Sequence, residues 1–246
     1  MQLATLAFAI VVIFAAAVVR GYAGFGFSLL AITALSLMLE PRAIIPTIFV
    51  LEVCASVHLL ASAWRDVHWR SLGWLAAGCL IGTPLGVYAL AQVPPAPLTV
   101  ALAAVVLILA LLLARGFVLR TMPGRLVTLG TGVTSGLLNG SLGIGGPPVV
   151  IFFFGSPAGV ATGRASMIAY FLFTDLLGLA WQWRDGLLGR QVFARALLYA
   201  PALVAGVWLG NRAFTGVDPQ RFRGWVLRLL MVLAALTGGR ALLALV

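Results

Sequence analysis

The stretch Arg20-Gly21-Tyr22-Ala23-Gly24-Phe25-Gly26-Phe27-Ser28 lies inside a long apolar run. It returns later in the chain as Asn139-Gly140-Ser141-Leu142-Gly143-Ile144-Gly145-Gly146-Pro147-Pro148, again within an apolar run. Glycine clusters and prolines are costly in such surroundings. Glycine loses the most backbone freedom on ordering, and proline removes a helix hydrogen bond. In lipid a freed backbone group has no water to turn to, so a break persists only against protein or beside a wet cavity. A broken helix in each of two matching halves is a pointer to the binding site of a secondary transporter.

Composition supports the membrane setting. Of the 246 residues, 62% are hydrophobic and 9% are charged. A soluble domain of this length carries about 25% charged residues. The runs fall roughly at 3–39, 43–63, 72–92, 98–114, 125–155, 164–182, 192–211 and 222–245. Most have the length of a single spanning helix, about 20 residues. The first and fifth are longer, and these two hold the glycine motifs. The sequence therefore predicts an all-α membrane protein of about eight hydrophobic segments, with segments 1 and 5 broken or re-entrant. The run Leu3 to Val19 followed by small residues could pass for a secretory leader, but no basic stretch precedes it, and it reads as the first segment.

The basic side chains are sixteen Arg with no Lys, giving a net charge of +10. They are scattered over short loops, which argues against nucleic acid and for cytoplasmic anchoring. Cys54 and Cys79 lie inside apolar runs and read as small hydrophobes, with no disulfide. No metal or cofactor is expected. His58 and His68 are not spaced as a metal pair. No nucleophile elbow, phosphate loop or paired-carboxylate catalytic pattern is present, so the chain does not read as an enzyme. Trp64, Trp69, Trp74, Trp181 and Trp183 sit at segment ends, as membrane-interface anchors do.

The chain repeats itself. Gly24 and Gly143, Gly26 and Gly145, and Trp64-Arg65-Asp66 and Trp183-Arg184-Asp185 are each 119 residues apart. Further on, Gly82 and Gly86 correspond to Gly206 and Gly210, and Val93-Pro94-Pro95 to Val217-Asp218-Pro219, at an offset of 124. An insertion of about five residues in the second copy accounts for the step. The expected organisation is a first half over 1–114, a linker over 115–124 and a second half over 125–246. The long first and fifth runs hold more helix than one bilayer crossing needs, so the halves are expected to be inverted.

Several side chains stand out for chemistry. A half-helix starting at either break presents unpaired N–H groups, with the positive end of the helix dipole behind them. Such ends bind anions. The predicted substrate-binding residues are Arg20, Gly24, Phe25, Gly26, Ser28, Asn139, Ser141, Gly143, Gly145, Gly146 and Pro147. Arg20 precedes the first break, and is read either as a buried partner for an anionic substrate or as a residue snorkelling to headgroups. Asn139 is its equivalent in the second half. Glu52 and Asp175 lie within apolar segments, where an acid costs about 2.5–3.5 kcal/mol on the insertion scale and is a functional candidate by default. They are the candidates for proton coupling. Glu40, Asp66, Asp185 and Asp218 sit at segment ends and read as solvated. For Gly82, Gly86, Gly206 and Gly210 the preferred reading is close helix packing through small residues.

With these motifs in view, the chain resembles the TauE/SafE sulfite-exporter family of integral membrane permeases. The Gly24-Phe25-Gly26 break, the longer motif from Asn139 to Pro148 and the duplicated four-segment plan carry the likeness over nearly the whole length. The resemblance implies transport of sulfite or small organosulfonates across the inner membrane, with the paired glycine motifs around the substrate. The chain departs from the family pattern at Phe27-Ser28, where the family more often continues with glycine. It departs again at Pro147, where a third glycine is common. The expected function is a multi-pass secondary transporter in the cell inner membrane. It would move a small anion by alternating access, with proton-coupled export and a homodimer as further expectations. The alternatives are a cation or metal permease using Glu52 and Asp175, and a non-transport membrane assembly factor.

Overall fold

The computed structural model describes residues 3–35, 38–39, 41–92, 121–143, 145–184 and 186–215, with scattered positions from Asp218 to Gly239. The run 98–114, most of the run 222–245, the Val93-Pro94-Pro95 landmark, the linker up to residue 120, and Glu40 and Asp185 lie outside the described residues.

Every regular element among the described residues is helical. In chain order they are α1 (Leu3–Ala23), α2 (Phe27–Leu35), α3 (Pro41–Ala63), a short 3-10 turn (Trp64–Asp66), α4 (Trp69–Gln92), α5 (Arg125–Leu142), α6 (Gly146–Phe154), α7 (Val160–Arg184) and α8 (Arg190–Phe214). Three stretches, Ala4–Ala23, Ile44–Asp66 and Arg190–Phe214, are long and apolar enough to cross a membrane. The protein is an all-α membrane protein.

The element bounds follow the 119-residue register read from the sequence. α2 and α6 each have 9 residues and start 119 positions apart, as do α3 and α7. Both long apolar runs are interrupted at the glycines. α1 has 21 residues, or about 31 Å of helix, while the 9 residues of α2 make about 13 Å, too short to cross a bilayer. The break is a matter of backbone geometry. Gly24 and Gly26 take φ of 78° and 93°, a region open to glycine and costly for other residues. The N–H of Gly24 donates to the Arg20 carbonyl at 2.8 Å and closes α1. At the equivalent place, Gly143 has φ 70° and its N–H donates to the Asn139 carbonyl at 2.8 Å, closing α5. Both are left-handed glycine terminations.

The described residues form two compact units. One holds α1, α2, α3, the part of α7 from Phe171 onward, and α8; the other holds α4, α5, α6 and α7 up to Tyr170. Within the first, α1 lies against α8 so closely that a Cβ on Gly21 would strike the Val207 backbone. A Cβ on Gly210 would likewise strike Val18. Within the second, α4 lies against α5. Cβ atoms on Gly78, Gly82 and Gly86 would strike the backbones of Leu129, Val133 and Leu137. The glycines expected to pack helices do so, by letting backbones approach.

Trp64, Trp69, Trp74 and Trp183 are exposed, in keeping with anchors at a membrane interface. Arg125 stacks over Trp74 at 5.7 Å and Arg184 over Trp181 at 5.1 Å. Not every arginine lies in an exposed loop: Arg164 is 5% exposed near the start of α7.

Candidate functional site

The first unit gathers buried charged and polar side chains at the α1–α2 break. Arg20, in the last turn of α1, is fully buried. The snorkelling reading is therefore set aside. Its Nη1 donates to the Gly24 carbonyl at 2.8 Å, one of the acceptors left over where α1 stops. Its Nη2 donates to the Ser56 hydroxyl at 2.6 Å. The Glu52 carboxylate stands 3.7 Å from Nη1, and the Phe171 ring lies against the guanidinium at 4.9 Å. A cation held by a carboxylate, two hydrogen bonds and an aromatic face needs no headgroup to compensate it.

Glu52 does more than pair with Arg20. Its carboxylate accepts from the Ser28 hydroxyl and from the Ser28 backbone N–H. Ser28 is the second residue of α2, so an anionic group already sits at the N-terminus of that half-helix. This is the placement that unpaired amides and the helix dipole favour. Asp175, 2% exposed, interacts electrostatically with both Glu52 and Arg20. Its Oδ2 and the Nε of Arg20 are buried with no hydrogen-bond partner among the described residues. Phe25 and Phe27 are buried on either side of Gly26 and close the break with apolar surface.

The second break has a different chemistry. Gly145 caps α6, and its carbonyl accepts from the Ser135 hydroxyl at 2.5 Å. The helix begins at Gly146. Pro147 and Pro148 thus fall within its first turn, where they carry no N–H, so α6 offers fewer free amides than α2. Asn139 and Ser141 are buried, and the Ser141 hydroxyl donates to the Leu137 carbonyl of its own helix at 2.8 Å.

The structure thus brings Arg20, Gly24, Ser28, Glu52 and Asp175 into one group in the first unit. Asn139, Ser141, Gly143, Gly145, Gly146 and Pro147 line the break in the second. Sequence reasoning missed Ser56, Phe171 and Ser135. A signal for two of them was present. Glu52 and Ser56 are one helical turn apart on α3, and adding 119 maps them onto Phe171 and Asp175, one turn apart on α7. Arg20 is flanked by the same turn of both copies. Among the described residues, no three His, Cys, Asp or Glu come together in a way that could hold a metal ion. The buried guanidinium beside Glu52 and Asp175 also works against a cation there.

The described residues form a helical membrane chain with a half-helix after each glycine break, and comparison with known proteins gives this chain a family. The model of the sulfite exporter TauE/SafE family matches residues 9–237. The chain belongs to the sulfite exporter TauE/SafE family. It is also similar to the probable sulfite/organosulfonate exporter TauE of Cupriavidus necator, at 28% identity over 77% of this chain and 76% of that protein. No solved structure matches. The TauE/SafE match spans both breaks, and so takes in Arg20, Glu52 and the α6 entry alike. Membership makes the chain a membrane transport protein, which is consistent with the lack of catalytic motifs in its sequence.

Proposed function

We propose that this TauE/SafE member is a multi-pass secondary transporter of the cell inner membrane that exports a small oxyanion, sulfite or an organosulfonate. The observation that carries the reading is the carboxylate held at the α2 N-terminus beside buried Arg20. A place that receives two carboxylate oxygens through an amide, a hydroxyl and a guanidinium is chemically suited to the oxygens of sulfite or a sulfonate. The relative from Cupriavidus necator, named for sulfite and organosulfonates, supports the same substrate class. The break lined by Asn139, Ser141, Gly143, Gly145, Gly146 and Pro147 is proposed to serve the substrate as well, through fewer amides and more side-chain polarity.

Arg20, Glu52 and Asp175 are all buried, so a substrate reaching them requires a rearrangement. Rocking of inverted halves, with access alternating between the two sides, is the transporter mechanism that supplies one. Glu52 and Asp175 are the groups proposed to carry a proton in coupled export, because each is an intramembrane acid next to the buried cation. Flux into proteoliposomes tests the reading, with sulfite, sulfoacetate, taurine and a divalent cation offered separately. Saturable movement of sulfite or a sulfonate is expected, with a pH dependence altered in Glu52→Gln and Asp175→Asn. Movement of the cation alone would overturn the assignment.

A further inference from the structure

The Glu52 carboxylate occupies the position that an incoming oxyanion would need. It takes the Ser28 hydroxyl and the Ser28 N–H, and it lies 3.7 Å from Arg20 Nη1. These donors are also the ones the transport reading assigns to the substrate. We propose that Glu52 is a tethered competitor: its carboxylate fills the anion position at the α2 N-terminus, and a sulfite or sulfonate head binds there only by displacing it. This proposal rests on the anion-transport reading above.

Three features distinguish a displaceable carboxylate from a fixed structural ion pair. The first is distance. At 3.7 Å the Arg20–Glu52 contact is an ion pair and not a hydrogen bond, while the guanidinium spends its short bonds on Gly24 and Ser56. Arg20 is therefore held in place without Glu52. The second is the spare donor. Arg20 Nε is buried with no hydrogen-bond partner among the described residues. Native structures satisfy nearly all such groups, and an exception calls for an explanation. A planar guanidinium with Nε unused can take an oxyanion oxygen that Glu52 does not supply. The third is Asp175, which is buried in the same unit and whose Oδ2 has no hydrogen-bond partner among the described residues, so a second buried polar atom is left unsatisfied while Glu52 is in place. Among the described residues, the polar, charged and aromatic groups around the position include Arg20 from α1, Ser28 from α2, Ser56 from α3, and Phe171 and Asp175 from α7.

The consequence is a threshold. A carboxylate on a short tether has an effective concentration on the order of millimolar, so the substrate must reach comparable levels to displace it. Such a transporter idles at low anion load and responds when the anion accumulates.

Binding of sulfite and of a sulfonate to the purified full-length protein in detergent tests this. Glu52→Gln keeps the shape and an acceptor for Ser28 but removes the competing charge. It should bind either anion about tenfold more tightly than wild type, because a neutral amide holds the Ser28 hydroxyl and Arg20 less strongly than a carboxylate does. Glu52→Asp keeps the charge and draws it back by one methylene, and should fall between the two. If wild type binds and Glu52→Gln binds equally or more weakly, the competitor role is wrong. If Glu52→Gln does not elute as a folded species, an unchanged or weaker affinity in Glu52→Asp decides against the role in the same way. A wild-type protein that binds neither anion overturns the transport reading, and this proposal with it.

Discussion

Gly26 and Gly145 occupy equivalent places in the repeat, yet they need to be glycine for different reasons. Gly26 has φ 93°, so any side chain there is strained by about 1–3 kcal/mol. Gly145 has φ −85°, which any residue tolerates, but its added Cβ would stand 2.9 Å from the Ser135 carbonyl oxygen and 3.0 Å from Ser135 Oγ. Gly26→Ala should lower the thermal midpoint in detergent and reduce flux, while the protein still inserts. Wild-type flux in that variant would show that the break tolerates a side chain. Arg20 allows a sharper measurement. Truncating one member of a buried ion pair costs about 3–5 kcal/mol because the other charge is stranded. Arg20→Met should cost about that much, and adding Glu52→Gln should recover most of it, as read by thermal unfolding of the singles and the double. Equal losses that simply add would mean that the two side chains do not stabilise one another. The breaks were legible in the sequence because glycine and proline inside apolar runs have few other uses. Burial of Arg20 was one of two readings the sequence allowed. Its bonding to Glu52 and Ser56 was marked only by their one-turn spacing and the 119-residue register, since the contact itself depends on how α1 packs against α3, and no local pattern encodes that.

At the scale of elements, the close approach of paired helices sets which glycines can change. Gly130 and Gly132 lie two residues apart on α5. A Cβ on Gly130 meets nothing within 4 Å, whereas one on Gly132 would strike the Leu75 backbone. Glycine inside a helix costs up to about 1 kcal/mol relative to alanine, so Gly130→Ala should stabilise by a few tenths to about 1 kcal/mol. Gly132→Ala should instead destabilise by about 1–3 kcal/mol, since the backbones of α4 and α5 must separate to admit the methyl group. Thermal unfolding of both variants checks the sign of each effect. If both stabilise, the two helices are not in backbone contact. The small-residue spacing at Gly82/Gly86 and Gly206/Gly210 told that these helices pack closely, because a four-residue repeat of glycine leaves a groove on one face. It did not tell which helix fills the groove, as a glycine groove accepts any flat helical face.

At the scale of the molecule, the sequence halves and the compact units divide the chain differently, and the difference predicts how the protein assembles. The expected repeat separates 1–114 from 125–246. Packing instead places α1, from the first half, against α8, the fourth described helix of the second half. It places α5, from the second half, against α4, the fourth helix of the first. The pattern is reciprocal: Gly206 and Gly210 meet α1, and Gly82 and Gly86 meet α5. The register at 119 and 124 residues pointed to a duplication but not to this exchange, because repeated sequence reports kinship between segments rather than contact. Each half on its own therefore lacks the helix that covers its first segment and the groove partner of its fourth. Helix association in lipid gains little from apolar burial and depends on these close backbone contacts. Residues 1–114 or 125–246 expressed alone should give no monodisperse monomer in detergent. The two co-expressed should co-purify as a one-to-one complex and regain sulfite or sulfonate flux. A stable, monomeric single half would mean that α1 and α4 find sufficient partners within their own repeat, and the exchanged pairing would then not be what holds the protein together.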